Sequence, residues 1–277
     1  MIIDDDIHEN PDGRSGRSGD GSDGAGVAGV ASFAERVCLA IEATNRWLMA
    51  GFVAGESDRL DCQIREEAPR ESFRRLLPEI QRLRDIAGIE RPEWIATTRG
   101  PGSFTGTRIS VGAARNLAQL WSIPVRSVSS IALYLYACAR EAQAAGAQAD
   151  QEIAVMIDGK QERVFAAHST VQAALAGQAI AIVDRKPDEF LTRLYESHPG
   201  VFVYADDLDS IQSYSRESTA IETWRLIEPP RAVDLRDLCL NAINAGDVRQ
   251  SNWSELVPEY LRMDPATSKF NKSKETL

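Results

Sequence analysis

The residues whose types and spacing suit chemistry gather in one stretch: Arg99-Gly100-Pro101-Gly102-Ser103-Phe104-Thr105-Gly106-Thr107-Arg108. A glycine turn that leaves a strand and opens a helix presents backbone amides, and the positive end of the helix dipole, to an anion. Gly100, Gly102, Ser103 and Thr105 are therefore candidate contacts for a nucleotide phosphate. The turn lacks the Gly-Lys-Ser/Thr ending of a Walker loop and the spacing of a dinucleotide fingerprint. A purely structural turn, with Ser103 or Thr105 capping the helix, is the competing reading. Glu42 ends the first apolar run, and Asp158 ends a comparable run later in the chain. Paired carboxylates at such places could hold magnesium through water; the alternative is two solvated strand ends. No serine, histidine and acid set suggests a nucleophile. His8, His168 and His198 are scattered, and Cys38, Cys62, Cys138 and Cys239 form no CxxC pair. The expectation is reduced, buried thiols, no metal site and no catalytic residue.

The elements around this stretch follow from periodicity. Val37–Ile41, Trp47–Val53 and Leu60–Arg65 read as three strands, the last an edge strand. A helix follows from about Arg70 to Ala87 and stops at Gly88. Pro78 inside it predicts a kink or local break. Trp94–Thr98 is a fourth strand, feeding the glycine turn. The helix that the turn launches runs to Trp121 and carries two stripes. Gly106, Ser110, Ala114 and Ala118 form a ridge of small side chains; Ile109, Ala113, Leu117 and Leu120 form an apolar stripe. The expectation is that the small ridge admits a partner helix and the apolar stripe covers the sheet. Pro124–Val128 is a fifth strand. An antiparallel meander followed by crossover helices describes a mixed sheet of the ribonuclease-H or actin-like kind.

A second region holds a helix from Ser129 to about Ala145 and a hairpin over Ile153–Asp158 and Glu162–Ala167. Short strands at Ala179–Val183 and Val201–Tyr204 flank a helix over Asp188–Ser197. A helix near Asp234–Ala245 precedes a closing segment, Val257–Arg262. The implied division is a disordered tail over 1–34, a first lobe over 35–130, a second over 131–267 and a polar tail over 268–277. The first tail is Asp-, Gly- and Ser-rich and buries too little surface to offset its ordering entropy.

Composition narrows the function. In 277 residues, 31 Lys and Arg stand against 41 Asp and Glu, a net charge of -10. Such acidity disfavours unaided binding to a phosphate backbone. No apolar run is long enough to span a membrane, and no secretory h-region opens the chain, so a cytoplasmic protein is expected. Arg70, Arg74, Arg75, Arg82, Arg84, Arg108 and Arg115 lie on the polar sides of the first two helices. They read either as solvated faces or as a binding patch.

The stretch from Arg99 to Ile109 closely resembles the signature of the bacterial TsaB family, also called YeaZ, whose members usually carry Leu where Thr107 stands. Leu39-Ala40-Ile41-Glu42, Leu76-Leu77-Pro78, Ile123-Pro124 with Ser129-Ser130, Asp158 with Glu162-Arg163-Val164-Phe165, and Pro258-Glu259-Tyr260-Leu261-Arg262 match in order. The resemblance implies an actin-like, two-lobed ATPase fold without independent catalysis. It implies support for N6-threonylcarbamoyladenosine synthesis in ANN-decoding tRNAs. The paralogous TsaD subunit would be the transferase and hold the metal, TsaE would be a further small ATPase, and tRNA would be met mainly through the partner. Pairing through the first two helices places the interface at Phe73, Leu77, Ile80, Gly106, Ser110, Ala114 and Ala118. ATP or ADP could sit at the shared interface, with no cofactor of the chain's own; alone, the same helix face could pair with itself. The family's Asp-Thr-Ser-Thr after the first strand is Glu42-Ala43-Thr44-Asn45 here, which weakens a case for hydrolysis. The rival reading is an autonomous actin-fold ATPase or metallopeptidase; that segment weakens the first, and the absence of histidine from the first helix weakens the second.

Overall fold

The computed structural model describes residues 35–55, 60–68, 71–214, 224–244 and 250–262. The expected tails over 1–34 and 268–277, and Arg70, lie outside the described residues. Five consecutive buried residues, Cys38–Glu42, form β1 at the centre of the first sheet. β2 (Trp47–Ala54) and β3 (Leu60–Glu67) return beside it antiparallel, with Cys38 opposite Val53 and Glu42 opposite Met49. The chain then crosses over twice. Helix α1 (Ser72–Ala87) leads to β4 (Trp94–Thr98), and α2 (Phe104–Trp121) leads to β5 (Val125–Val128). β4 lies parallel to β1, and β5 parallel to β4. Gly88 ends α1 in the left-handed conformation, its amide reaching back to Asp85. Pro78 does not break α1, which runs through it; the exposed side of a helix is where a lost hydrogen bond is replaced by water.

Helix α3 (Ser130–Ala144) carries the chain into a second sheet. β6 (Glu152–Asp158) and β7 (Val164–Thr170) form the expected hairpin. A short α4 (Val171–Leu175), β8 (Val183–Arg185), α5 (Pro187–Ser197), β9 (Phe202–Ala205), α6 (Leu208–Tyr214) and β10 (Arg225–Leu226) follow. The third strand here begins where the expected Ala179–Val183 run ends. The second sheet has the order β10-β9-β6-β7-β8, and the first reads β5-β4-β1-β2-β3 with one added edge strand, β11 (Gln250–Ser251). In both, the first strand is central, the next two are antiparallel, and the fourth and fifth are parallel crossovers. The fold is thus α/β, two lobes of one ribonuclease-H-like topology, in the actin-like ATPase arrangement.

Four apolar layers hold the sheets. α1 and α2 cover one face of the first sheet, packing Leu76, Ile80, Val111 and Ala114 on Leu39, Ile41 and Ile95. The other face meets α3 through Leu133 and Tyr136, and α7 (Ala232–Asn244) through Leu235, Leu238 and Cys239. α3 turns its remaining side to the second sheet, where Ile131, Tyr134 and Leu135 meet Ile153, Val155 and Ile157. α5 and α6 close the far face with Phe190, Leu191, Leu194 and Ile211. α7 and β11 therefore pack on the first sheet, not within a second lobe running unbroken over 131–267: an apolar helix after β10 completes the face that α1 and α2 leave open. The closing segment Val257–Arg262 is extended but is no strand; it fastens to the glycine turn by Glu259 N–H donating to Arg99 O at 2.7 Å. Among the described residues no helix is long and apolar enough to cross a membrane.

Candidate functional site

The equivalent ends of the two central strands face one cleft of about 1060 Å³. Its first wall is the β1–β2 turn and the glycine turn. The second is the β6–β7 turn with Asp206 and Asp207 after β9, and the closing segment Tyr260–Arg262 roofs it.

The glycine turn is built to press against the β1–β2 turn. Ser103 N–H donates to Thr44 O at 2.7 Å. A Cβ on Gly102 would stand 2.4 Å from Thr44 O, and one on Gly106 2.3 Å from Ala43 O. Only glycine permits that approach. Ser103 caps α2 as expected, accepting from Gly106 N–H at 2.9 Å, and its carbonyl accepts from Thr107 N–H at 2.9 Å. The amides of Ser103, Gly106 and Thr107 are thus engaged within the protein. Gly100, buried, accepts from Ser130 N–H, while Thr105 is exposed. Ser103 N–H ties the glycine turn to the β1–β2 turn, while those of Gly106 and Thr107 close the first turn of α2 on Ser103 itself. The structural-turn reading accounts for Gly102, Ser103 and Gly106.

Glu42 is not a solvated strand end. It is fully buried, and its carboxylate accepts from Thr44 N–H at 3.0 Å, from the Thr44 and Thr98 hydroxyls, and from Tyr134 OH at 3.5 Å. Burial pushes its carboxyl up, and the hydroxyl and amide donors offset part of that shift. Glu42 ties β1, β4 and α3 together beneath the turn and does not reach the cleft as a nucleotide contact. Asp158 is also withdrawn from solvent, accepting from Lys160 N–H at 2.8 Å and pairing with its ammonium group. Asp206 accepts from Asp158 N–H at 2.8 Å, and burial pushes its carboxyl up to about 7. The cations of the cleft are likewise held: Arg46 by Glu67 at 3.0 Å and by the carbonyl of Asp206, Arg262 by Asp184 and by Gly159 O at 2.9 Å. Asp206, Asp207 and Arg46 were not singled out from sequence. Their signal is the Ala205-Asp206-Asp207 step after β9, visible only once the two lobes are seen to share a topology.

The small ridge of α2, expected to admit a partner helix, faces the sheet instead. Gly106, Ser110, Ala114 and Ala118 are buried against the first sheet; Ser110 Oγ lies 3.2 Å from Thr97 Oγ1, and Ala114 and Ala118 have no exposed surface. Small side chains are needed there because the helix lies close on β4 and the β1–β2 turn. Ile80 is likewise core. These five expected interface residues cannot meet a partner in the folded chain. Ile109, Ala113 and Leu117 pack against the first-sheet core as expected and are half-buried, and the outer face is completed by Phe73 and Leu77 of α1, 76% and 54% exposed, and by exposed Leu120. Phe104 continues the apolar face to the cleft mouth, under the Arg108 guanidinium and beside Tyr260, with ring centroids 5.3 Å apart. Of the arginines, Arg75 pairs with Glu66, and Arg82 with Glu79 at 2.7 Å, which favours the solvated-face reading for both. His168 and His198, read as isolated, stand with ring centroids 4.9 Å apart.

A model of the family described as TsaD, tRNA N6-adenosine threonylcarbamoyltransferase, matches residues 64–238. The chain is 40% identical over 68 residues to the tRNA threonylcarbamoyladenosine biosynthesis protein TsaB of Escherichia coli K12, covering 24% of this chain and 29% of that one. It is 31% identical over 104 residues to the TsaB protein of Haemophilus influenzae, covering 37% and 42%. The aligned stretches span less than half the length of either relative. A solved structure of YeaZ from Pseudomonas aeruginosa superposes with a TM-score of 0.61 at 23% identity, covering 82% of this chain and all of that one. That likeness is one of fold.

Proposed function

The chain belongs to the tRNA N6-adenosine threonylcarbamoyltransferase family, within its TsaB/YeaZ group, and we propose on that premise that it is the supporting, non-catalytic subunit of a tRNA threonylcarbamoyladenosine synthesis complex. It pairs with a TsaD-type transferase, and a TsaE-type small ATPase joins them. The substrates are ANN-decoding tRNAs in the cytoplasm, met mainly through the transferase, in keeping with the net charge of -10.

The observation that carries this reading is the apolar outer face of α1 and α2. Phe73 and Leu77 lie one helical turn apart on α1, and Leu120 stands exposed on α2. A soluble domain has no packing use for a phenylalanine left 76% exposed on a helix, whereas aromatic and aliphatic anchors are what interfaces place at their centres. Two further features support a non-catalytic role. The carboxylate at the end of β1 is buried under hydroxyl donors, and the glycine turn packs against the β1–β2 turn, with Ser103 N–H donating to Thr44 O. The α1 sequence also contains no histidine that could ligate a catalytic metal.

The test is reconstitution. Modification of tRNA is measured with the TsaD-type and TsaE-type subunits, with and without this chain, and complex formation is followed by gel filtration. Activity that requires this chain, and a one-to-one complex with the transferase, is the expected result. Turnover of ATP or threonylcarbamoyl transfer by the pure chain, or self-association without affinity for the transferase, overturns the reading.

A further inference from the structure

The geometry points to a binding site for a divalent transition-metal ion of the zinc class, formed by Glu152, His168 and His198 at the end of β6 opposite the cleft. One atom from each of the three residues lies within 4.8 Å of the others. His168 Nδ1 is 3.5 Å from Glu152 Oε2, and His198 Nδ1 is 3.5 Å from Glu152 Oε1. Bonds of about 2.0–2.1 Å in a tetrahedral zinc site set neighbouring ligand atoms roughly 3.3–3.4 Å apart. Each imidazole thus stands near that spacing from one carboxylate oxygen, and one donor atom from each of the three residues falls within 4.8 Å of the others.

The backbone, not chance rotamers, brings the three together. His168 stands opposite Ala154 on the antiparallel β6–β7 pair, so it shares a sheet face with Ala154 and with Glu152 two residues away. His198 caps α5 at the turn that enters β9, the strand parallel to β6 on its other side. That turn is pinned to the start of β6 by Gln151 Nε2, which donates to Gly200 O at 2.7 Å. Two paired strands and the turn that enters a third thus supply one ligand each. The side chains are 24%, 43% and 30% exposed for Glu152, His168 and His198, so an ion can enter and a water can complete the coordination. Two imidazoles and a carboxylate with an open fourth position is a donor set that suits zinc, nickel or cobalt over magnesium or calcium. Nothing in the apolar packing of this lobe requires two imidazoles and a carboxylate to meet. The site is independent of the cleft and of the proposed function: seven residues of strand, roughly 20 Å, separate Glu152 from Asp158.

The full chain, freed of metal with a chelator, is titrated with zinc chloride and, separately, with cobalt chloride, alongside the double variant His168→Gln/His198→Gln. The wild type is expected to bind one ion, to melt at a higher temperature when loaded, and to give a cobalt spectrum without thiolate charge transfer. The double variant is expected to lose at least tenfold in affinity while its metal-free melting temperature stays unchanged, because both side chains are partly solvated. No saturable binding by the wild type, undiminished binding by the double variant, or a thiolate signature in the cobalt spectrum would each overturn the assignment.

Discussion

Helices α1 and α5 occupy equivalent places in two lobes of one topology, yet their outer sides differ. Each follows the third strand of its sheet and buries an apolar row: Leu76, Ile80 and Leu83 in α1, Phe190, Leu191 and Leu194 in α5. Beyond that row α5 shows Glu189, Thr192, Arg193 and Glu196 to solvent, whereas α1 shows Phe73, Leu77 and Ile86. The same fold therefore stands without exposed large apolar residues on this helix. Those of α1 answer a need outside the chain's own packing, and α2 beside it adds exposed Leu120. The contrast separates what the fold demands from what an interface demands, in one molecule and on matched elements.

Five substitutions test that contrast, the largest expected effect first. Ala114→Arg places a charge in the closed layer between α2 and the first sheet. It should destabilise the monomer by about 3–5 kcal/mol, as unpaired buried charges do, and a urea titration reads the loss. Leu77→Arg should weaken binding to the TsaD-type subunit by about 2 kcal/mol, the scale of an interface anchor, while Thr192→Arg on α5 leaves it unchanged. Calorimetry on both variants, with melting temperatures as a control on folding, checks the pair. Gly106→Ala drives a methyl group into Ala43 O and should cost about 1–3 kcal/mol of monomer stability, as overpacking does. Thr107→Val should gain roughly 1 kcal/mol, because the Thr107 hydroxyl is buried without a hydrogen-bond partner and valine removes it at equal volume.

Titration adds a signature of the second lobe. Asp206 is pushed up to about 7 by burial beside Asp158, against an ordinary value near 3.9 in an unfolded chain. Between these values the folded form holds a proton that the unfolded form has released, so this group's contribution to stability is full below about pH 4 and is lost as pH rises through 7. Glu42 is shifted in the same direction. Asp206→Asn keeps an acceptor for Asp158 N–H and should flatten the decline in melting temperature between pH 4 and 7. An unchanged slope would show that Asp206 is ionised in the fold.

Much of this was legible in the sequence, because the strands of the first lobe are uninterrupted apolar runs and its helices begin and end on clear signals. Ser103 capping α2, Gly88 closing α1 and the span of β4 follow from local chemistry alone. The facing of α2 does not. A ridge of Gly, Ser and Ala at four-residue spacing suits a sheet pressed close beneath it as well as a partner helix. What decides is the approach of the β1–β2 turn to Gly102 and Gly106, a contact between residues some 60 positions apart. The burial of Glu42 is hidden for the same reason: beside the neighbouring Thr44, its hydroxyl donors come from Thr98 and Tyr134, on β4 and α3. His168 and His198 are 30 residues apart, and only the parallel placement of β9 beside β6 brings them together. The return of α7 to the first sheet likewise follows from which face was still open, not from any local signal.

Amide hydrogen exchange on this chain, with and without the TsaD-type subunit, tests the central claim most directly, because it reads α1 and α5 in one experiment. Added protection is expected in peptides covering residues 72–87 and 104–121, and none over 187–197. Protection confined to α5, or an unchanged α1 in a complex that forms, would contradict it.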